Sequence, residues 1–194
     1  MSFFKKLFSK TSSKEQEAKK QEVHLSLDDA FVHHFIEKGG KFLYCVSQAE
    51  VTANLSHILK ETSWTQITCF DDDLKNMLKK QKIKIASDFN QAFPFFTTCE
   101  HLISDNGDIL FSSNQLSTYK IASLTDDFIV FARTSQLVKD TGEGLTGIKT
   151  NCKDNIPTNI SAVKNYTLKK GDDDFLNYGN SNSKNLYLLL LEDL

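Results

Sequence analysis

Phe42-Leu-Tyr-Cys-Val46, followed at once by Ser47-Gln-Ala-Glu50-Val-Thr-Ala-Asn-Leu-Ser-His-Ile-Leu59, decides the fold. The first stretch is a short apolar run of strand length, and the second places Val51, Leu55, Ile58 and Leu59 on one helical stripe. Ser47 with Glu50 three residues on is a capping-box pattern, so a strand hands over directly to a helix. The same unit is written on both sides. Upstream, Ser26 and Asp29 suggest another capping box ahead of Leu27, Ala30, Phe31 and Ile36, and Gly39-Gly40 stops that helix. Downstream, Ile67 to Phe70 reads as a strand, and Asp71-Asp-Asp73 leads a helix carrying Leu74, Met77 and Leu78 before Ile83 and Ile85. This alternation calls for an α/β fold with a mostly parallel sheet flanked by helices.

The pattern changes after Phe89. His101-Leu-Ile-Ser104 and Ile109-Leu-Phe111 flank Asp105-Asn106-Gly107-Asp108, the strongest short-range hairpin signal in the chain, and Asn-Gly predicts a type I′ turn with both central residues at positive φ. Asp127 to Ala132 is another buried strand, and residues 134–148 read as helical first and glycine-broken after Lys139. A short strand is expected to begin the stretch from Thr158 to Thr167, Gly171-Asp-Asp-Asp174 is a turn, and Leu186-Tyr-Leu-Leu-Leu-Leu191 closes the sheet as a central strand.

One domain fits 194 residues, with residues 1–22 as an N-terminal amphipathic segment and polar tether and 23–194 as the α/β body. Phe3, Phe4, Leu7 and Phe8 share one helical face, a candidate docking surface. With 23 basic against 25 acidic side chains, the balance argues against nucleic-acid binding, which needs a net basic face. No apolar stretch approaches the ~20 residues of a membrane span, and no long apolar signal region opens the chain, so the expected compartment is the cytoplasm. Cys45, Cys69, Cys99 and Cys152 form no close pair of the kind that metal or cluster sites use, so the chain is expected to hold no metal and no cofactor of its own. Cys45 and Cys69 sit in apolar runs and read as reduced core thiols.

The motifs that could carry chemistry are few. Gly142-Glu-Gly144-Leu-Thr-Gly147 matches a dinucleotide fingerprint in letters, but roughly ten residues separate it from the preceding strand and no acidic residue follows at the right distance, so a turn or interrupted helix accounts for it better. The triplets Asp71–Asp73 and Asp172–Asp174 lack calcium-loop spacing. Five histidines show no ligand-pair motif; His33 and His34 are adjacent on a helix and are expected to point to different faces. Arg133 ends a buried strand, ahead of Thr134, Ser135 and Gln136 at an expected helix start. Ligands gather at the carboxyl ends of parallel strands and arginine clamps carboxylates or phosphates, so these residues are an anion-site candidate. A Thr134 N-cap with a surface ion pair explains the same residues equally well.

Leu102-Ile-Ser-Asp105-Asn-Gly107-Asp-Ile-Leu-Phe111, Ile129-Val-Phe-Ala-Arg-Thr-Ser135-Gln136-Leu137-Val138 and the closing Lys184-Asn-Leu-Tyr-Leu-Leu-Leu-Leu-Glu-Asp193 resemble the LUD domain of the lactate-utilisation protein C family. The resemblance spans residues 23–194 in order and spacing. It implies a NagB/RpiA/CoA-transferase-like fold, a small anionic ligand, and work beside iron–sulfur and oxidoreductase subunits in lactate or organic-acid oxidation. The implied ligand neighbourhood lies between the Asp105-Asn106-Gly107 turn and the Arg133-Thr-Ser135-Gln136 strand end. The family's Gly-Pro-Ser/Thr loop is replaced by Ile160-Ser-Ala-Val-Lys164-Asn-Tyr166, which makes Lys164 (or Lys184) the substitute anion partner. No catalytic set is spelled out. A free-standing enzyme on a sugar phosphate or CoA ester would draw its carboxylate from Glu100, Asp105 or Glu143; a non-catalytic interaction module would use the Phe3, Phe4, Leu7, Phe8 face.

Overall fold

The computed structural model describes residues 26–86, 92–152, 155–168 and 182–193. The N-terminal amphipathic segment, its tether and the Asp172–Asp174 turn lie outside the described residues. Helices α1 (Leu27–Glu37), α2 (Gln48–Thr62) and α3 (Asp72–Lys80) alternate with strands β1 (Lys41–Cys45), β2 (Gln66–Ile67) and β3 (Lys84–Ile85). Strands β4 (Phe95–Thr97), β5 (His101–Ile103) and β6 (Asp108–Phe111) follow, then the single-turn α4 (Ser113–Leu116) and β7 (Asp127–Arg133). The chain continues through β8 (Leu137–Val138), α5 (Thr141–Asn151), β9 (Ser161–Val163) and β10 (Asn185–Leu191).

The main sheet runs β1-β10-β7-β4, all parallel. A bridge from Thr68 to Phe95 carries it on to the parallel pair β2-β3. β10 is therefore central, as its near-continuous apolar run from Leu186 to Leu191 requires of a strand buried on both faces. Alternation divides the core cleanly. Phe128, Val130, Ala132, Leu186, Leu188 and Leu190 face α1, whereas Ile129, Phe131, Tyr187, Leu189 and Leu191 face α2 and α3. The second sheet, β8-β5-β6-β9, lies on the α1 side. Its far face, with Ile103, Leu110 and Val138, carries α5.

Local signals explain the ends of these elements. Ser47 Oγ accepts from Glu50 N, while Glu50 Oε2 accepts from Val46 N at 2.9 Å. Gly39 N and Gly40 N donate to Ile36 O and Phe35 O, the Schellman arrangement, with Gly39 at φ +91°. At the start of α1 the expected capping box is not made: Ser26 Oγ donates to the Asp29 carboxylate at 2.7 Å and caps no backbone N–H. Asp71 is the N-cap of α3, accepting from Leu74 N at 2.8 Å.

Three further expectations from sequence are corrected. The hairpin forms, but Ile103 pairs with Asp108 across a four-residue loop, and within that loop Gly107 alone has a positive φ, +70°. Asn106 instead turns its Oδ1 back to accept from Asp108 N at 2.9 Å, so the turn is not type I′. Residues 134–136 make one 3-10 turn and 137–138 a strand paired with β5, so the helix lies after Lys139 and not before it. Asp140 caps that helix by accepting from Glu143 N, and Gly142, Gly144 and Gly147 ride inside it unbroken. Glycine is used there for approach: a Cβ on Gly144 would stand 3.0 Å from Leu110 Cδ1 and 3.3 Å from Ile103 Cδ1. Among the described residues no helix is long and apolar enough to cross a membrane.

Candidate functional site

Cys45 of β1 pairs with Leu191 of β10, and Leu191 with Arg133 of β7, so three parallel strands end level with one another. The residues leaving those ends meet. Thr134 Oγ1 donates to Asp193 Oδ1 at 2.9 Å, Ser135 N to the same oxygen at 2.9 Å, and Ser135 Oγ to Oδ2 at 2.7 Å. Burial works to raise the Asp193 pKa, but the bonds from Ser135 and Thr134 and the nearby Arg133 charge outweigh it and hold the carboxyl below its usual range. Gln136 locks the turn from below, its Oε1 accepting from Arg133 N at 2.8 Å and its Nε2 donating to Cys99 O at 2.6 Å.

Two clefts open at this strand end. One, of about 470 Å³, lies on the α1 face between Asp28, Tyr44, Ser135, Leu137 and Glu192. Burial first, and then a hydrogen bond and charge from Glu192, keep the Tyr44 phenol protonated well above its ordinary range. Among the described residues no lysine or arginine lines this cleft. The other, of about 480 Å³, lies on the α2–α3 face, because strand alternation sends Arg133 to the same side as Phe131. There the Arg133 guanidinium sits over the Phe131 ring, 5.6 Å from its centroid, with Lys80 also in the wall beside Gln48, Thr52 and Gln81. Asp73 is the cleft's acidic group.

The residues singled out from sequence are thus dispersed. Arg133 and Ser135 line opposite clefts, and Gln136 supports the turn between them. Asp105, Asn106 and Gly107 stand at the other end of α1, where Gly107 lies against the backbone of His34 and Phe35 and its carbonyl accepts from the Tyr166 hydroxyl at 2.5 Å. Asp105 is exposed there. Lys164 is exposed beside a separate recess of about 200 Å³ with Asn165 and Asn182. Lys184 is buried before β10 at the amino ends of the strands, donating to Leu124 O at 3.1 Å, with Asp126 at 3.6 Å. The helix N-terminus expected after Arg133 is replaced by the 3-10 turn, so the segment that follows Arg133 supplies no α-helix dipole of its own.

Two of the three carboxylates named from sequence are engaged elsewhere. Glu100 accepts from Ser112 Oγ, Asn114 Nδ2 and Gln115 Nε2 at 2.6, 2.9 and 3.1 Å, and Glu143 accepts from Lys139 N at 2.7 Å. Cys45, Cys69 and Cys99 are buried free thiols, and burial raises all three, Cys69 to about 12. Sequence reading missed Tyr44, Lys80, Glu192 and Asp193. Glu192 and Asp193 were within its reach, since they directly follow the last strand and the carboxyl-end rule applies to β10 as it does to β7.

Known proteins give the arrangement a family. Residues 13–191 match the model of the LUD domain. The backbone superimposes on the crystal structure of a DUF162 family protein from Deinococcus radiodurans with a TM-score of 0.57 and 15% identity, covering 87% of this chain and 99% of that one. No curated protein matches. A family match over most of the chain and a shared α/β architecture agree with the order of the strands: the chain belongs to the LUD-domain family.

Proposed function

We propose that this LUD-domain protein is an accessory, ligand-binding subunit in organic-acid oxidation, lactate oxidation being the role the family name suggests. Its ligand is a small carboxylate or phosphate anion held at Arg133. The observation that carries the reading is the position of Arg133: exposed, at the carboxyl end of an inner parallel strand, with Lys80 in the same wall. Phe131 stacks beneath the guanidinium and limits its rotamers, which lowers the ordering cost of a bidentate clamp. Gln48, Thr52 and Gln81 supply neutral donors of the kind a hydroxy acid or phosphate uses. Its partners on this reading are iron–sulfur or oxidoreductase subunits of the same system, and its compartment is the cytoplasm.

The test is a titration of lactate, pyruvate, inorganic phosphate, a sugar phosphate and coenzyme A, read by thermal shift and calorimetry. A true ligand raises Tm by mass action, by about 2.7 kcal/mol of stability at a hundred times Kd. Hydrogen bonds to charged groups contribute about 1.5–3 kcal/mol, so Arg133→Ala should weaken binding by about 10- to 150-fold and Arg133→Lys by less. No shift with any of the five, or an Arg133→Ala protein that binds like wild type, refutes the reading. One observation favours a free-standing enzyme: Tyr44 and Glu192 form a protonated phenol–carboxylate pair beside the same strand end. Turnover of a sugar phosphate or CoA ester by the isolated chain, lost in Tyr44→Phe, would establish that second reading.

A further inference from the structure

The last turn of α1 carries His33, His34 and Glu37 on its exposed side. Adjacent histidines on a helix diverge by about 100°, and the sequence suggested no shared role for them. The structure brings them together through the third residue. Glu37 is four residues from His33 and three from His34, the two spacings that place side chains one turn apart on neighbouring rows. His33 Nδ1 stands 4.0 Å and His34 Nδ1 3.8 Å from the same Glu37 oxygen, Oε2. One ligand atom from each residue lies within 4.8 Å of those of the other two.

We propose that His33, His34 and Glu37 form a surface site for a divalent transition-metal ion of the zinc, nickel or copper class. Two imidazoles and one carboxylate are the donor set of open, three-ligand zinc sites, which leave further positions for water or another ligand. Imidazole donors select against magnesium and calcium, which take oxygen. Metal–ligand bonds of about 2.0–2.2 Å set tetrahedral donors about 3.4 Å apart, so the three donors must close by up to about 1.4 Å from their present separations. All three side chains are exposed enough to make that adjustment, at 64%, 37% and 69% for His33, His34 and Glu37.

The scaffold beneath them is fixed. Phe35 is fully buried between the two histidines and Glu37, and the Gly39-Gly40 stop ends the helix just beyond. Gly107 of the hairpin turn lies so close to His34 that an added Cβ there would stand 2.8 Å from the His34 carbonyl carbon. The helix also ends at this point, and the carboxyl end of its dipole favours a positive charge. With the backbone fixed, closing on an ion asks only for side-chain rotation in His33, His34 and Glu37, so the fold itself is not deformed.

The experiment is calorimetric titration of the full chain with Zn²⁺ and Ni²⁺, with Mg²⁺ as the comparison, followed by Co²⁺ absorption spectra to report nitrogen ligation. Expected is one zinc or nickel equivalent per chain and no magnesium binding over the same range. His33→Ala, His34→Ala and Glu37→Gln should each weaken zinc by at least about tenfold, with unchanged Tm in chelator. His57→Ala, on α2, should bind as wild type does. Zinc binding that survives intact in the His33→Ala/His34→Ala double variant, or equal binding of zinc and magnesium by the wild-type chain, overturns the assignment. Because the exposed substitutions leave the core untouched, a misfolded variant would itself contradict the placement of these three side chains on the surface of α1.

Discussion

Replacing Gly107 with alanine tests the central packing of this molecule, because three separate features converge on one missing methyl group. Gly107 adopts φ +70°, and an L-residue in that left-handed region costs about 1–2 kcal/mol. A Cβ there would lie 2.6 Å from Phe35 N, 2.8 Å from His34 C and 2.9 Å from His34 Cβ. Two of those contacts are helix backbone, which cannot rotate away, so α1 itself must move off the hairpin. Forced overpacking of this kind costs about 1–3 kcal/mol. The movement also disturbs the bond from the buried Tyr166 hydroxyl to Gly107 O, a neutral hydrogen bond of about 1 kcal/mol. Together the expected loss is about 3–6 kcal/mol, a large share of a typical folding stability. Urea unfolding followed by far-UV dichroism reads it as a fall in midpoint at constant slope. Gly142→Ala is the control: its Cβ meets only Asp140 Oδ1, at 3.1 Å, and alanine in a helix gains about 0.5–1 kcal/mol. A Gly107→Ala midpoint within about 1 kcal/mol of wild type would refute the packing argument. Should Gly107→Ala not fold, Tyr166→Phe isolates the hydrogen-bond part, with an expected loss of about 1–2 kcal/mol.

Gly144→Ala should do worse than Gly142→Ala in the same helix, because its Cβ meets the buried Leu110 and Ile103 methyls at 3.0 and 3.3 Å; equal midpoints would disprove the role of that glycine in close packing. Lys184→Met should hold stability within about 1 kcal/mol, since it keeps the buried stem and removes a desolvated charge, whereas Lys184→Ala leaves a cavity and loses about 2–5 kcal/mol. Burial lowers the Lys184 pKa against the opposing pull of Asp126, so the unfolded chain holds that proton longer, and stability relative to Lys184→Met should rise as pH passes from the folded value towards ~10.4. Asp193 is the opposite case. Its folded pKa is depressed, so its contribution is complete above the unfolded value of about 3.9 and is lost as pH falls through the lower folded value. The gap in urea midpoint between wild type and Asp193→Asn should therefore be present at neutral pH and shrink in that acid window; a gap that does not change with pH would contradict the network around Thr134 and Ser135.

What made the fold legible was local agreement between pattern and cap. Ser47-Gln-Ala-Glu50, Gly39-Gly40 and the apolar run 186–191 each carry their own physical reason: Ser47 caps its helix, although Glu50 reaches back to Val46 N in place of Ser47 N, and the other two are realised in place. Misreadings fell where tertiary contact overrides local preference. Asn106-Gly107 favours a two-residue turn in isolation, yet the loop lengthens to four because Gly107 must seat against α1. The glycines at 142, 144 and 147 look like breakers by propensity, yet they sit in a continuous helix, and at 144 and 147 the missing side chains let it close on β5 and β6. Residues 134–136 fail as a helix start because Asp193, far away in sequence, claims the Thr134 hydroxyl and both Ser135 donors.

The candidate site was half legible for a related reason. A rule about strand ends finds Arg133 from one segment alone, but the register β1-β10-β7 is what sets Tyr44, Glu192 and Asp193 beside it. Register also sets the charge that each face presents. Asp28 and Glu192 line the α1-side cleft without a compensating base among the described residues, while Arg133 and Lys80 share the α2–α3 side against the acid Asp73. A unit charge at 4 Å is worth about 1 kcal/mol in water and about 4 kcal/mol at the dielectric of a protein surface. Two acids against an anion on one side, and a net base on the other, therefore separate the clefts by more than the tenfold that about 1.4 kcal/mol represents. Reversing that sign is a single step: Arg133→Glu should abolish anion binding altogether, where Arg133→Ala only weakens it, and the difference between the two variants should fall as salt is added.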